Sequence, residues 1–230
     1  MHNFFKRVKS FLLSVIKWFL IISISSVILF RWVPIPISPF MIVQTARQAI
    51  DKKKNVRFEK EWVSIENISP NLQLAVICSE DQNFVNHIGF DVDAIEKAVE
   101  HNKKHKRKKG ASTISQQTAK NVFLYDGRNW IRKSFETYFT FLLEIFWSKE
   151  RIMEVYLNVI EFGDGVYGAE AASQKFFGIP AKNLSQEQAA LLVSVLPMPR
   201  KLSVIRPSPY VLKRQAWVLV QMTKYGKLEY

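Results

Sequence analysis

The chain has 230 residues, 48% of them hydrophobic, and its 33 Lys and Arg residues against 20 Asp and Glu residues give a formal net charge of +13. A single Cys excludes a small secreted domain held together by disulfides, and the apolar fraction, with 17 Phe, excludes collagenous and disordered chains. The length suits one ordinary domain whose core is formed by hydrophobic packing.

Most of the net positive charge lies in two short segments. Residues 1–31 contain five cations and no acid, and residues 103–109 (KKHKRKK) contain six further cations. The remainder is nearly charge-balanced, whereas a nucleic-acid-binding protein needs basic residues spread along a groove with stacking aromatics. We therefore expect no nucleic-acid partner. Cations this close together repel one another, so residues 103–109 are predicted not to pack, either as a solvated loop or as a mobile strap held to anionic lipid headgroups.

The first of these segments contains a stretch that is long enough to cross a membrane. Residues 11–30 carry one charge, Lys17, and 20 residues at about 1.5 Å per residue span a hydrocarbon core of about 30 Å. Three cations precede this stretch, and the positive-inside rule then predicts a cytoplasmic N-terminus. A cleaved signal peptide is the alternative, but its apolar region is usually shorter and ends at an Ala-x-Ala-like site, and no Ala precedes Ala46.

These features predict four parts of the chain. Three prolines, Pro34, Pro36 and Pro39, prevent the anchor helix from continuing and favour extended chain after it. The predicted parts are a cytoplasmic basic N-terminus (1–10), a transmembrane anchor (11–33), an extended Pro-rich linker (34–43) and a domain outside the cytoplasmic membrane (44–230).

The domain is predicted to be mainly α-helical, because helix-start signals recur along it and no alternating strand-and-turn pattern appears. A long apolar stretch from Trp130 to Trp147 predicts one long helix. The predicted N-caps are Ser69 before Pro70, Asp91, Ser185 in a capping box with Gln188, and Ser208 before Pro209.

The first candidate site is SEDQNFVNHIGFD, residues 79–91. Glu80 and Asp81 lie where an apolar helix gives way to a polar turn, and a partly desolvated carboxylate at such a place can act as a general base or acid. Two solvated acids at a helix end are the alternative, and His87 alone is more often a hydrogen-bonded structural residue. One Cys and four His without zinc-type spacing predict no metal site.

The second candidate site is GASTISQQTAKNVFL, residues 110–124. If Ser112 or Thr113 caps a helix here, four polar side chains follow one helix face at i, i+3, i+4 and i+7. A hydroxyl, two amides and an ammonium suit a cleft that binds sugar hydroxyls and a phosphate. A solvent-facing polar stripe is the alternative. The four residues are Thr113, Gln116, Gln117 and Lys120.

The third candidate site is RNWIRKSFE, residues 128–136. Arg132 and Glu136 are spaced i,i+4 with the cation first, which is the less favourable order for helix stability, so helix support explains the pair poorly. Cations beside a carboxylate suit a phosphate site, because guanidinium groups bind phosphate oxygens in pairs and a carboxylate can orient the cations or hold a divalent ion.

Taken in this order, the segments resemble the peptidoglycan glycosyltransferase family, glycosyltransferase family 51, in its monofunctional biosynthetic transglycosylase form. The resemblance covers roughly residues 34–225. The family pattern E-D-x-x-F-x-x-H-x-G-x-D is matched from Glu80 to Asp91, G-x-S-T-I-x-Q-Q-x-x-K-N from Gly110 to Asn121, R-K-x-x-E from Arg132 to Glu136, and Glu followed by Y-L-N from Glu154 to Asn158.

The resemblance implies a mainly α, lysozyme-like glycosyltransferase domain behind one N-terminal transmembrane helix. The implied reaction polymerises lipid II into linear β-1,4 glycan strands, with inversion, from an undecaprenyl-pyrophosphate-linked donor to the GlcNAc 4-hydroxyl of lipid II. Glu80 would be the general base, and Glu136 would belong to the pyrophosphate side of the cleft. The implied substrate-binding residues are Asp81, Phe84, His87, Thr113, Gln116, Gln117, Lys120, Asn121, Arg128, Arg132 and Lys133.

The implied partners are lipid II, the growing lipid-linked glycan and the bacterial cytoplasmic (inner) membrane, with the catalytic domain in the periplasm. Other cell-wall synthesis or division proteins stay open as partners. No cofactor is expected, except that a divalent ion, Mg or Mn, at the pyrophosphate stays open.

Two other functions stay open. A lysozyme-like muramidase or lytic transglycosylase would also use a carboxylate in a helical cleft, but its polysaccharide substrate has no diphosphate for the cations to bind. A membrane-anchored scaffold without enzyme activity is compatible with the composition.

Overall fold

The computed structural model describes residues 2–51, 55–105, 108–127 and 129–230. The chain is mainly α-helical, as predicted, and forms two compact units, Met1–Pro34 and Ile35–Tyr230. The α-helices of the described residues are α1 (His2–Phe30), α2 (Pro39–Ile50), α3 (Pro70–Glu80), α4 (Val92–Lys104), α5 (Ile114–Phe123), α6 (Trp130–Phe146), α7 (Lys149–Val159), α8 (Ala169–Phe177), α9 (Gln186–Ser194) and α10 (Pro209–Tyr225).

Helix α1 is the apolar helix expected near the N-terminus. Its segment Phe4–Phe30 has 27 residues and contains an 18-residue stretch with a mean hydropathy of 2.3, so its length and composition allow it to cross a membrane. The boundaries of the four predicted parts of the chain remain a prediction.

Helix α2 begins inside the segment predicted as an extended linker. The Oγ atom of Ser38 accepts a hydrogen bond from the N–H of Met41 at 3.3 Å, and Pro39 is the first helical residue. Proline is tolerated there because the first N–H groups of a helix have no partner within the helix. The predicted extended chain over residues 34–43 is therefore wrong for residues 39–43.

The predicted helix starts are confirmed at four places. Each cap uses a side-chain oxygen to accept a hydrogen bond from an N–H of the first turn, and helix α6 occupies the predicted apolar stretch. The confirmed N-caps are Ser69 of α3, Asp91 of α4, Ser185 of α9 with its capping box to Gln188, and Ser208 of α10.

A small sheet is the part of the fold that the sequence pattern did not predict. Strand β1 (Glu59–Lys60) pairs in parallel with β3 (Val166–Tyr167), and β3 pairs antiparallel with β2 (Glu161–Gly163). Strands of two or three residues are too short to show the alternation that identifies a strand. At Gly165 the backbone has φ +75°, and a Cβ would lie 2.1 Å from the carbonyl oxygen of Arg57, so only glycine fits this turn.

Two buried helices place the polar residues of the site. Helix α3 is buried from Leu72 to Cys78 and packs against α9 and α10. A helix that is apolar all round belongs in a core, so the polar end of α3, with Glu80, is where the helix leaves that core. Helix α5 packs against α2, α6 and α7. The first and second candidate sites therefore lie at the end of one buried helix and along another.

Candidate active site

An open cavity of about 730 Å³ lies at the C-terminal end of α3. Its lining includes Glu80, Lys97 and His101 of α4, Thr113 at the start of α5, and Trp217 of α10. Cavities of roughly 300–1,000 Å³ bind ligands of a few sugar rings in size and usually combine polar groups with an aromatic surface. The first candidate site thus opens onto a space large enough for a saccharide.

Glu80 is held in this cavity by hydrogen-bond donors. Its Oε1 atom accepts hydrogen bonds from Ser79 Oγ at 3.0 Å and from Arg214 Nη2 at 3.2 Å, and its Oε2 atom accepts one from Gln117 Nε2 at 3.1 Å. The side chain is 15% exposed. The carboxylate is therefore oriented and largely desolvated, but it still reaches the cavity, which is the arrangement that a general base requires.

Arg214 is absent from the site predicted from the sequence. It lies on α10, and its Nη2 atom also donates to Ser79 Oγ at 2.8 Å. It is separated from Glu80 by 134 positions. A spacing signal exists, because Tyr210, Lys213, Arg214 and Trp217 share one face of α10, but this pattern by itself does not show which acid the face meets.

Gln117 is oriented by Tyr156 of α7. The Tyr156 hydroxyl donates to Gln117 Oε1 at 3.4 Å. Burial raises the pKa of Tyr156 well above its ordinary value, and the negative charges of Glu80 and Asp81 raise it further, so the hydroxyl stays protonated and can donate. With its oxygen bound to Tyr156, the amide turns its Nε2 atom toward Glu80.

Asp81 and His87 form a buried pair beside the cavity. Both carboxylate oxygens of Asp81 lie 3.0 Å from His87 Nε2, and Oδ2 also accepts a hydrogen bond from the N–H of Ile114 at 2.9 Å. Phe84, which lies between Asp81 and His87 in the sequence, is fully buried. Lys149 Nζ lies 4.7 Å from the centre of the Phe84 ring. These contacts support the turn and attach it to the start of α5.

We expect Asp81→Asn to lower the free energy of unfolding by about 1–3 kcal/mol, because a buried, charge-assisted contact to His87 is lost. Its effect on the reaction rate should be smaller than that of changing Glu80. Urea unfolding followed by circular dichroism measures the first effect, and Glu96→Gln, at an exposed position of α4, is the control. Unchanged stability with a loss of activity as large as for Glu80 would show that Asp81 takes part in the chemistry.

Two residues of the predicted stripe on α5 build the start of the helix. Thr113 Oγ1 accepts a hydrogen bond from the N–H of Gln116 at 3.2 Å, and Gln116 Oε1 accepts one from the N–H of Thr113 at 3.0 Å, which completes a capping box. Thr113 Oγ1 also donates to the carbonyl oxygen of Gly89 at 2.7 Å. Asn121 is buried too, and its Nδ2 atom has no hydrogen-bond partner among the described residues.

The third candidate site is a carboxylate surrounded by cations. Glu136 has a side chain that is 4% exposed; its Oε2 atom accepts a hydrogen bond from Arg132 Nη1 at 2.6 Å, and its Oε1 atom accepts one from Lys133. Burial lowers the pKa of Lys120, while the negative charges of Glu136 and Asp126 oppose that shift. Arg128, the fourth predicted cation, lies outside the described residues.

Helix α5 connects the two parts of the site. Gln117, which binds Glu80, and Lys120, which lies in the field of Glu136, are three positions apart and therefore share a helix face with a rise of about 4.5 Å between them. A desolvated carboxylate and a set of cations thus lie along one helix. This arrangement can remove a proton from one group and stabilise negative charge on another.

The donor set at Glu136 does not fit a divalent metal ion. Both of its carboxylate oxygens already bind cationic side chains. Within the described ranges, no group of three or more His, Cys, Asp or Glu residues could hold a metal.

The family model described as Transglycosylase matches residues 46–223 of this chain. Several similar relatives carry the name biosynthetic peptidoglycan transglycosylase. The relative from Bdellovibrio bacteriovorus is 51% identical over 219 residues, which cover 95% of this chain and 87% of the relative. The relative from Haemophilus influenzae is 53% identical over 200 residues, with 86% and 81% covered, and that from Bacteroides thetaiotaomicron is 48% identical over 222 residues, with 96% and 89% covered.

Proposed function

Because this chain belongs to the transglycosylase family, we propose that it is a peptidoglycan glycosyltransferase that polymerises lipid II into linear β-1,4 glycan strands. The observation that supports this most is the arrangement along α5. Gln117 orients Glu80 at the cavity, and Lys120 lies one turn away among the cations at Glu136. Transfer from a diphosphate donor needs a base at the acceptor hydroxyl and cations at the leaving diphosphate, so the base and the cations must lie at separate places in the site.

The acceptor sugar occupies the cavity in this proposal. The 4-hydroxyl of the terminal GlcNAc of lipid II lies against Glu80, whose carboxylate accepts the proton as the oxygen attacks. Arg214, Ser79 and Gln117 hold the carboxylate so that one orientation is favoured before substrate binds. The side chain of Trp217 lines the same cavity and offers an apolar face to a sugar ring.

The donor is a glycan strand whose terminal sugar is linked to undecaprenyl diphosphate. The acceptor oxygen forms a new bond to C1 as the bond from C1 to the diphosphate oxygen breaks, and the diphosphate leaves with the electron pair. Attack comes from the face opposite the leaving group, so the α-linked donor gives a β-1,4 glycoside. Lys120 and Arg132 stabilise the charge that develops on the diphosphate.

A lysozyme-like hydrolase remains the second candidate enzyme, and the structure offers an argument against it. Such an enzyme needs a protonated carboxyl group that can donate to the leaving oxygen. The hydrogen-bond partners of Glu80 given above are all donors, which suits an ionised carboxylate. A polysaccharide also offers Lys120 and Arg132 no diphosphate to bind.

Lipid II polymerisation by the full-length protein in detergent or liposomes tests the proposed function. We expect glycan strands to form from lipid II, and a compound that binds the diphosphate site to stop the reaction. Cleavage of preformed glycan without polymerisation would support the hydrolase instead. If the folded protein catalyses neither reaction, that result would support a membrane-anchored scaffold without enzyme activity.

We also propose that the chain is a single-pass protein of the inner membrane with its domain in the periplasm. The charge asymmetry around helix α1 supports this topology. A reporter that is active only after export should be active when it is fused after Tyr230 and inactive when it is fused after Ser10. An inactive Tyr230 fusion that is produced in normal amounts would contradict both the topology and the proposed function.

A further inference from the structure

We propose that helix α2 is a positioning element of the diphosphate site: through Asp126, Gln44 and Arg47 hold the loop that leads into the cations of α6. The inference rests on the proposed function, and it assigns a role in substrate binding to a helix that no motif of the sequence marks. Helix α2 is the first helix of the unit Ile35–Tyr230.

Asp126 is the point at which α2 holds the loop between α5 and α6. Its Oδ2 atom accepts hydrogen bonds from Gln44 Nε2 at 2.8 Å and from Arg47 Nη1 at 2.7 Å. Arg47 Nη2 also donates to the backbone carbonyl oxygen of Asp126 at 3.1 Å. One guanidinium group therefore binds both the side chain and the main chain of the same residue, which fixes the loop in position and orientation.

The contacts with Gln44 and Arg47 keep Asp126 in its charged form. Burial acts against the charge, but the hydrogen bonds from these two residues and the positive charge of Arg47 hold the pKa of Asp126 below its ordinary value. Gln44 is buried, with 3% of its surface exposed, so its amide has little access to water as an alternative partner. The attachment of the loop to α2 is therefore a defined contact between a fixed helix and a charged loop residue.

The loop between α5 and α6 also positions the cation Arg132 of α6. The residue after Asp126, Gly127, accepts a hydrogen bond from Arg132 Nε at 2.5 Å through its carbonyl oxygen. Arg132 then reaches Glu136 with its Nη1 atom at 2.6 Å. The guanidinium group is thus placed by the loop on one side and by Glu136 on the other, and a shift of the loop moves the cation.

Helix α2 also contacts the site directly. The ring of Phe40 lies under two cations, with Lys120 Nζ at 5.6 Å and the guanidinium carbon of Arg200 at 5.9 Å from its centre. Phe40 is 7% exposed, so these cation–π interactions are shielded from water and are stronger than they would be at an exposed ring. Phe40 and the pair Gln44 and Arg47 lie one to two helical turns apart, so one helix holds both Lys120 and the loop.

The direction in which Asp126→Asn changes diphosphate binding distinguishes a positioning role of Asp126 from a direct effect of its negative charge. Asp126 is an anion near the cations, so if it acted only through its charge, its removal would tighten the binding of a diphosphate. If it positions the loop, its removal loosens the loop and weakens binding. We expect KM for lipid II and the inhibition constant of farnesyl diphosphate to rise together by about three- to tenfold, with a smaller change in kcat.

A double-mutant cycle identifies the contact. Arg47→Met keeps the stem of the side chain and removes the guanidinium group, and it should raise the same two constants. The double variant should lose less than the sum of the two single losses, because both changes weaken the shared contact between the side chains of Arg47 and Asp126. Glu59→Gln is the matched control: its side chain is 42% exposed, as is that of Asp126, and Glu59 lies in the small sheet and pairs with Lys175 of α8.

The outcomes are distinct. Tighter or unchanged binding of farnesyl diphosphate to Asp126→Asn overturns the inference, and so does an equal loss in Glu59→Gln, which would indicate general destabilisation. Additive effects in the double variant also overturn it. If the wild-type protein makes no glycan but Asp126→Asn still binds farnesyl diphosphate more weakly, the proposed function fails and the positioning role of α2 stands.

Discussion

Replacing Glu80 with Gln is expected to slow glycan polymerisation by about 10²–10⁴-fold, the usual contribution of a general base. Gln keeps the size of the side chain and one accepting oxygen for Arg214 and Ser79, but it cannot take up a proton. Its amide nitrogen would face Gln117 Nε2, and the amide of Gln117 can turn over because the Tyr156 hydroxyl can accept as well as donate. The fold should therefore remain intact.

The rate is measured with lipid II, and the fold with thermal unfolding. Glu59→Gln is the control, because Glu59 also lies near an arginine, Arg57 at 3.9 Å, but belongs to strand β1 outside the motif segments. The control should keep its activity. If Glu80→Gln keeps more than about a tenth of the wild-type rate, the loss is too small for a general base and Asp81 or Glu136 becomes the candidate.

Replacing Lys120 with Met should lower the rate by about 10²–10³-fold, the effect of removing one group that stabilises charge in a transition state. The variant Lys120→Arg should retain part of the activity and should change the pH dependence. Burial lowers the pKa of Lys120, so its ammonium is lost at a lower pH than that of an ordinary lysine. Activity that needs this charge falls as the pH rises through the lowered pKa, whereas an arginine stays charged.

Two pH profiles test this assignment. The profile of kcat/KM reports the free protein, and its alkaline limb should lie at lower pH than that of kcat, because bound diphosphate favours the ammonium form. In Lys120→Arg the alkaline limb should move to higher pH. Burial also lowers the pKa of Lys60, which lies in the small sheet, so Lys60→Met is the control and should leave the limb in place. An unchanged limb in Lys120→Arg would exclude Lys120 as its origin.

Local signals in the sequence were sufficient for several helix starts. An N-cap is decided by residues within three positions of each other, so Ser69, Asp91 and Ser208 indicate helix starts without any knowledge of the fold. The apolar stretch of α1 and the cations before it likewise need no tertiary context. The same local signals predict Glu80 at a helix end, since the change from apolar to polar residues is visible in the sequence.

Tertiary structure decided what the polar side chains of the motifs contact. Gln117 and Lys120 share a helix face, yet Gln117 binds Glu80 of α3 while Lys120 lies in the field of Glu136 of α6. Spacing places side chains on a face but does not show what is packed against it. Asp81 matches its motif as well as Glu80 does, but its side chain is buried and contacts His87 at 3.0 Å.

What the sequence by itself determined is the set of local elements: the apolar helix α1, the capped helix starts and the motifs that carry the family resemblance. What only the tertiary structure decided is the contacts between distant positions. Arg214 reaches Glu80 across 134 positions, and Arg47 reaches Asp126 across 79. Such pairs depend on how helices pack against each other, and packing is a property of whole apolar faces and not of the few residues around each charge.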